Sequence, residues 1–266
     1  MADKLTIHQG DNLEILKTLE DKTYELVYTD PPYNTKIIQK RKRSSHGKEI
    51  VELSSLAYED NKEDFIFWLR QRVEQIYRIL SDDGSFFLQL DFREVHYAKV
   101  MCDEVFGRNN FINEIIWSYD FGARAKKKWS AKHDTILWYV KNNKNYKFNF
   151  DKVTRIPYKA PDLIRNTAKN AEEKIALGKT ITDVWNDNIV HTMSKERTGY
   201  PTQKPLTILE RIVVVHSDNG DNLLDPFAGS GSFGEAALKN GRNVTLIDQN
   251  KDAINIMEKR LEKYTI

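Results

Sequence analysis

An apolar run ends abruptly on an acid, two prolines and an aromatic in Tyr24-Glu25-Leu26-Val27-Tyr28-Thr29-Asp30-Pro31-Pro32-Tyr33-Asn34. Proline has a fixed φ and no N–H, and it biases the residue before it towards extended geometry. Two in a row make a stiff exit from a strand, with carbonyls left to accept hydrogen bonds. A carboxylate and an aromatic ring are pinned on either side. The arrangement suits gripping a planar group that carries an NH2. An ordinary strand-ending turn has the same residues, so the rest of the chain must decide.

A second constellation lies near the other end. Gly229-x-Gly231-x-x-Gly234 follows the strand-like Asp221–Pro226 and opens a helical stretch, and Asp248 closes the next strand-like run. Glycines at such a turn let backbone approach a ligand, and an acid at that distance accepts from a ribose diol. No Gly-Lys-Ser/Thr follows, so this is not a P-loop. NAD and S-adenosylmethionine are both compatible with the pattern. A dinucleotide fold needs several strands after the first βαβ unit, yet only 18 residues follow Asp248, so NAD would require a permuted dehydrogenase. S-adenosylmethionine has no pyrophosphate to cradle, and its turn often begins with an acid, here Asp225.

Both constellations need strands to carry them. Lys4–His8, 24–29, 85–90, 111–117, 135–140, 221–226 and 243–248 read as strands. Helices follow Leu13, Leu16 and Leu19, then Phe65, Leu69, Val73, Ile76 and Leu80, then Val95, Ala98, Cys102 and Val105. Ser81-Asp82-Asp83-Gly84 is expected to end the second of these. Further helices carry Leu206, Leu209, Ile212 and Val213, begin at Glu235, and close the chain through Ala253, Met257 and Leu261. Alternation of this kind predicts an α/β fold, a doubly wound and mostly parallel sheet with helices on both faces. Asp11, where the first strand hands over to a helix, fits either a ligand contact or an N-cap.

Residues 141–200 are polar and poorly periodic, and they read as a small insertion that could serve recognition. Two other stretches are basic. One holds Lys36, Lys40, Arg41, Lys42, Arg43 and Lys48; the other holds Arg124, Lys126, Lys127, Lys128 and Trp129. Each is either a solvated loop or a phosphate-contacting one.

Composition bounds the rest. The chain has 266 residues, 40% apolar and 30% charged, with a net charge of +2. That is ordinary for one large globular domain, and global charge alone does not mark a nucleic-acid binder. The single cysteine, Cys102, allows no disulfide framework within the chain and no cysteine-based metal site, and no metal is expected. No run approaches a membrane span and Met1–Thr6 is no signal peptide, so the expected compartment is the cytoplasm and no membrane partner is expected.

With these motifs in place, the chain resembles the amino-methylating DNA methyltransferases, which act on the exocyclic nitrogen of adenine or cytosine. Asp30-Pro31-Pro32-Tyr33 matches their catalytic signature. Asp225-Pro226-Phe227-Ala228-Gly229-Ser230-Gly231 matches their cofactor loop. Thr202-Gln203-Lys204-Pro205 matches the stretch beside the methionine part of the cofactor. The motif order is similar to the β subgroup, whose best-known members make N6-methyladenine. Ser232-Phe233 departs from the two small hydroxyl residues of many relatives.

The resemblance implies a Rossmann-like methyltransferase fold with permuted motif order. Residues 1–140 are then the catalytic half, 141–200 a variable target-recognition region and 201–266 the cofactor half. It implies Asp30, Pro31, Pro32 and Tyr33 as catalytic residues. Asp11, Asp30, Thr202, Lys204, Asp225, Phe227, Ala228, Gly229, Ser230, Gly231 and Asp248 would hold S-adenosylmethionine. Lys40, Arg41, Lys42, Arg43, Arg124, Lys126, Lys127 and Lys128 would contact double-stranded DNA. A cognate restriction endonuclease and a homodimer are partners the resemblance leaves open. The expected reaction is site-specific methylation of a flipped-out adenine at N6. Cytosine N4, RNA and a permuted NAD enzyme are the alternatives. Attack at cytosine C5 would need a cysteine nucleophile, and Cys102 lies on the apolar face of its helix.

Overall fold

The computed structural model of the chain describes residues 4–34, 37–39, 58–60, 64–122, 124–191 and 193–264. In chain order the elements are β1 (Leu5–Gln9), α1 (Asn12–Thr18), β2 (Tyr24–Thr29), β3 (Ile37–Gln39), β4 (Tyr58–Asp60), α2 (Phe65–Ile79), β5 (Leu80–Leu90) and α3 (Val95–Phe106). Next come β6 (Phe111–Ser118), β7 (His133–Val140), β8 (Arg155–Ile156), α4 (Pro161–Thr167), α5 (Ala171–Leu177), β9 (Lys179–Thr180) and β10 (Val184–Asn186). The chain closes with α6 (Leu206–His216), β11 (Asn222–Asp225), α7 (Ser232–Lys239), β12 (Asn243–Asp248) and α8 (Lys251–Leu261).

Eight strands form the central sheet in the order β1-β12-β11-β2-β5-β7-β6-β10. Every pairing is parallel except those of β7, which runs against both β5 and β6. Alternation along the strands feeds two cores, one on each face. In β7, Ile136, Trp138 and Val140 enter one core, while Leu137 and Tyr139 enter the other. In β5, Phe87 points to the first, and Phe86, Leu88 and Leu90 to the second. The predicted stripe of α2 is buried at Phe65, Leu69, Val73 and Ile76, and Asp64 caps the helix by accepting from the Phe67 N–H at 3.1 Å. Burial of this many large side chains at about 25 cal/mol per Å² of apolar surface is the main stabilising term.

Two expectations change. Ser81–Gly84 does not separate α2 from a strand beginning at residue 85. Strand β5 starts at Leu80, directly after the helix, and its register on β2 shifts between Tyr24–Leu80 and Leu26–Ser85. The polar residues are absorbed as an irregularity in the strand. The segment 141–200 is also not wholly an insertion. Its Val184–Asn186 is the edge strand of the central sheet, and Trp185 is buried in the core with Tyr146 and Ile181 packed beside it. Its α4 and α5 pack on each other, and β8 pairs with β9.

Candidate active site

Parallel strands bring their carboxyl ends to one edge of a doubly wound sheet, and ligands bind there. Four neighbouring strands each deliver an acid to that edge. Asp11 follows β1, Asp248 ends β12, Asp225 ends β11 and Asp30 follows β2. All four line one cavity, together with Trp68, Arg72, Phe227, Ala228, Gly229 and Ser230.

The glycine loop has the shape its composition requires. Gly229 has φ +50, and a Cβ on it would lie 3.0 Å from the Tyr200 ring. Gly231 has φ +72 and opens α7; it sits against Met257, beneath the loop and outside the cavity lining. Asp248 holds the loop by accepting from the N–H of Gly229 at 2.9 Å and of Asn250 at 2.8 Å. Asp225 accepts from the Phe227 N–H at 2.9 Å. Its burial pushes its carboxyl well above the usual range, and the neighbouring charges of Asp30 and Asp248 push the same way. Burial also raises Asp248. Asp11 caps α1 by accepting from the Leu13 N–H at 2.8 Å, and it pairs with Arg72 at 3.1 Å. The N-cap expected of it is therefore present, and it lines the cavity as well.

Asp30 is tied on both oxygens. The Tyr33 hydroxyl donates to Oδ1 at 2.8 Å, and the Lys204 ammonium forms an ion pair with Oδ2. Burial raises its carboxyl above the ordinary range, against the pull of Lys204 and Tyr33. Thr202, at φ +58, turns the chain so that Lys204 reaches Asp30, and its carbonyl accepts from the same ammonium at 3.3 Å.

A second cavity adjoins the first. It is lined by Trp117, Tyr119, Phe121, His133, Asp134 and His191, among others. Tyr33, Tyr200, Thr202, Gln203 and Lys204 line both, so they form a shared wall. The reversal of β7 is what builds this half, because it brings the start of that strand, His133 and Asp134, to the same edge as the ends of β5 and β6. Arg124, Lys126, Lys127 and Lys128 are exposed on the loop between β6 and β7, whose Phe121 and Ala131 line this cavity. Lys40, Arg41, Lys42 and Arg43 lie outside the described residues. Cys102 is buried in the core, and burial raises its thiol.

Sequence reading missed Tyr28, Arg72, Gln89, Tyr119 and Asp134. Two of them carried a signal. Gln89 interrupts the apolar Phe86-Phe87-Leu88-Gln89-Leu90, and Asp134 opens an apolar strand; polar residues in such positions are buried only when hydrogen-bonded.

An α/β sheet with a carboxylate row and a glycine turn at its carboxyl edge defines a nucleoside-binding enzyme of the doubly wound class. Comparison with known proteins narrows this. The family model described as "DNA methylase", covering amino methyltransferases of the N6 and N4 type, matches residues 24–259. The chain is 32% identical over 259 residues to the DNA adenine methyltransferase YhdJ of Escherichia coli K12, which covers 97% of this chain and 82% of that protein. Among solved structures, the M1.HpyAVI–SAM complex superposes with a TM-score of 0.63 at 21% identity, over 97% of this chain and 98% of that one. The cytosine-N4-specific PvuII DNA methyltransferase superposes with a TM-score of 0.69 at 16% identity, over 99% and 92%. The chain belongs to the N6/N4 DNA methylase family.

Proposed function

We propose that the chain is an S-adenosylmethionine-dependent DNA methyltransferase acting on adenine N6. The observation that carries this is the shared wall. Two cavities meet at Tyr33, Tyr200, Thr202, Gln203 and Lys204, and Asp30 is bonded to two of those five residues. A donor in one cavity and an acceptor in the other would face each other across the carboxylate.

The first cavity suits S-adenosylmethionine by its donor set. Its four acids set hydrogen-bonding oxygens around a ligand that carries ammonium and hydroxyl donors, and Asp248, at the end of the second strand of the βαβ unit, suits a ribose diol. Trp68 and Phe227, with ring centroids 5.6 Å apart, offer apolar surface. Gly229 lines the cavity with bare backbone, since a Cβ there would press against the Tyr200 ring at 3.0 Å. When bound, S-adenosylmethionine supplies a methyl group on a positively charged sulfur, which leaves with the bonding electron pair.

The protein's part is orientation. An exocyclic amine is a poor nucleophile because its lone pair is delocalised into the ring. Asp30 accepts one N–H of the amine and the Pro31 carbonyl accepts the other. The nitrogen is thereby held pyramidal with its lone pair free, and the methylated nitrogen sheds a proton afterwards. Proximity and alignment then supply much of the acceleration. The aromatic lining of the second cavity suits a base taken out of the stack, at an unstacking cost of a few kcal/mol. Adenine rather than cytosine is supported by the likeness to YhdJ and by the motif order; the fold is shared with a cytosine-N4 enzyme and does not choose between them.

The test combines three readouts: methyl incorporation into duplex DNA, identification of the modified nucleoside by mass spectrometry, and calorimetry with S-adenosylmethionine. Wild-type protein is expected to yield N6-methyladenine. Asp30→Ala is expected to lose transfer by at least about 10²-fold while still binding the cofactor. N4-methylcytosine as product would overturn the base assignment, and an active D30A would overturn the role of Asp30.

A further inference from the structure

Asp134 belongs to none of the motifs considered so far. Its side chain is buried, with the residue 6% exposed, yet it lines the second cavity. Its donors are all uncharged groups. The Tyr119 hydroxyl donates to Oδ1 at 3.0 Å, and the Gln89 amide donates to Oδ2 at 2.9 Å. The Tyr33 hydroxyl lies 3.0 Å from the same Oδ2. A buried carboxylate costs stability unless its hydrogen bonds compensate, and an apolar residue would fill such a place more favourably. The carboxylate therefore calls for an explanation beyond packing.

Tyr33 supplies one. A phenol carries a single donor proton, yet this one stands between two carboxylates, 2.8 Å from Asp30 Oδ1 and 3.0 Å from Asp134 Oδ2. Its oxygen also accepts from Gln89 Nε2 at 3.1 Å. Gln89 is held in this orientation by Asp134, whose carboxylate can only accept and so takes the NH2 at 2.9 Å, leaving Oε1 to accept from the Tyr28 hydroxyl at 2.6 Å. The hydroxyl proton thus has two acceptors at nearly equal distance, and rotation about the phenol C–O bond moves it between them without displacing a heavy atom. When the proton points at Asp30, both oxygens of that carboxylate are engaged, one by Tyr33 and one by Lys204. When it points at Asp134, Oδ1 of Asp30 is open to an amine.

We propose that Asp134 is a positioning residue for methyl transfer, drawing the Tyr33 hydroxyl off Asp30 so that Asp30 Oδ1 can hold the substrate amine. The proposal rests on the assignment of Asp30 made above. In the engaged state Tyr33 keeps its ring beside Lys204, whose ammonium lies 5.4 Å from the ring centroid, and only its proton has changed partner. A structural role, in which Asp134 only anchors the Tyr33 hydroxyl, would leave the single variant Y33F as slow as D134N, whereas the relay makes Y33F faster than D134N because no hydroxyl covers Asp30. The relay also makes the two residues interdependent: Asp134 matters only while Tyr33 has a hydroxyl to be drawn away.

The experiment is a double-mutant cycle in Asp134→Asn and Tyr33→Phe. It is read as single-turnover methyl transfer to duplex DNA at saturating cofactor, with cofactor affinity by calorimetry beside it. D134N is expected to slow transfer by about tenfold in the wild-type background, and by less than about threefold in the Y33F background, where no hydroxyl can block Asp30. Cofactor affinity should stay within about twofold throughout. Equal losses in both backgrounds, or a Y33F variant as slow as D134N, would overturn the relay while leaving the methyltransferase assignment standing. A wild-type protein that transfers no methyl group would overturn that assignment and this proposal with it. Should D134N not fold, Asp134→Glu, which keeps the charge and shifts it by one methylene, goes through the same cycle, and additivity there overturns the proposal equally.

Discussion

Lys204 reaches back 174 residues to pair with Asp30, and it lines both cavities. The resemblance placed it beside the cofactor; nothing in its neighbours Thr202, Gln203 and Pro205 shows that its ammonium meets the acid of a distant strand. Contact across such a separation is set by which strands lie side by side, and a single chain read in order does not state that. The pairing has a consequence for pH. Burial raises the Asp30 carboxyl, and Lys204 holds it down. Replacing Lys204 by Met removes the restraining charge and leaves the burial, so the carboxyl rises further. At a given acidic pH more of Asp30 is then protonated, and a protonated oxygen cannot accept from an amine. The acid limb of single-turnover methyl transfer in K204M is therefore expected to move to higher pH than in the wild type, while the rate on the plateau falls less than in D30A. Rates measured across pH 5–9 decide the matter; coincident acid limbs would show that the ion pair does not govern Asp30.

Among the elements, those with strong periodicity were legible. The stripe of α2 follows from residue spacing alone and came out buried, and the apolar run 135–140, read as a strand, lies within β7. Three-residue β10 was not legible, because Val184, Trp185 and Asn186 are too few to show a period, and it forms only by adding to the exposed edge of β6. The direction of β7 is a further case. Its sequence reads the same as a parallel or an antiparallel strand, yet the reversal decides that the loop between β6 and β7 hangs over the second cavity rather than the opposite edge. That loop carries Lys126, Lys127 and Lys128, all exposed. Exposed lysines near a DNA site act through phosphate, and each contact removed lowers the salt dependence of binding by about 0.9 in log–log slope. Replacing all three by alanine is expected to reduce the slope by about 2 to 3 and to weaken DNA binding most at low salt. Calorimetry with S-adenosylmethionine should show no change, since none of the three lines the first cavity. A salt titration by fluorescence anisotropy gives the slope directly, and an unchanged slope would remove this loop from the DNA-binding surface.

For the molecule as a whole, the alternation of strands and helices was enough to predict a mostly parallel sheet, and the two motifs met at one edge because parallel strands must end together. The strand order was not predictable, since it depends on long-range packing of the two faces. One product of that packing is His216, the last residue of α6. Its ring lies in the core, with centroids 4.8 Å from Phe87, 4.4 Å from Trp138 and 5.4 Å from Phe148. Burial lowers its pKa to about 3. In the unfolded chain the same imidazole takes up a proton near pH 6.5. Between those two values the unfolded state binds the proton and the folded state does not, so stability rises with pH across the window and falls as the solution is acidified through it. At pH 5 this single ring removes roughly 2 kcal/mol relative to pH 8. His216→Phe keeps an aromatic ring in the same aromatic setting and cannot titrate. Urea unfolding of wild type and H216F at pH 8 and pH 5 is expected to show the gap between the two pH values shrinking by roughly 2 kcal/mol in the variant. The comparison is a difference of differences, so any packing cost of the larger ring cancels, and so does the titration of every carboxylate common to both proteins. Identical gaps would mean that the ring is protonated inside the fold, and that the face of the sheet built on Phe87 and Trp138 admits water to it.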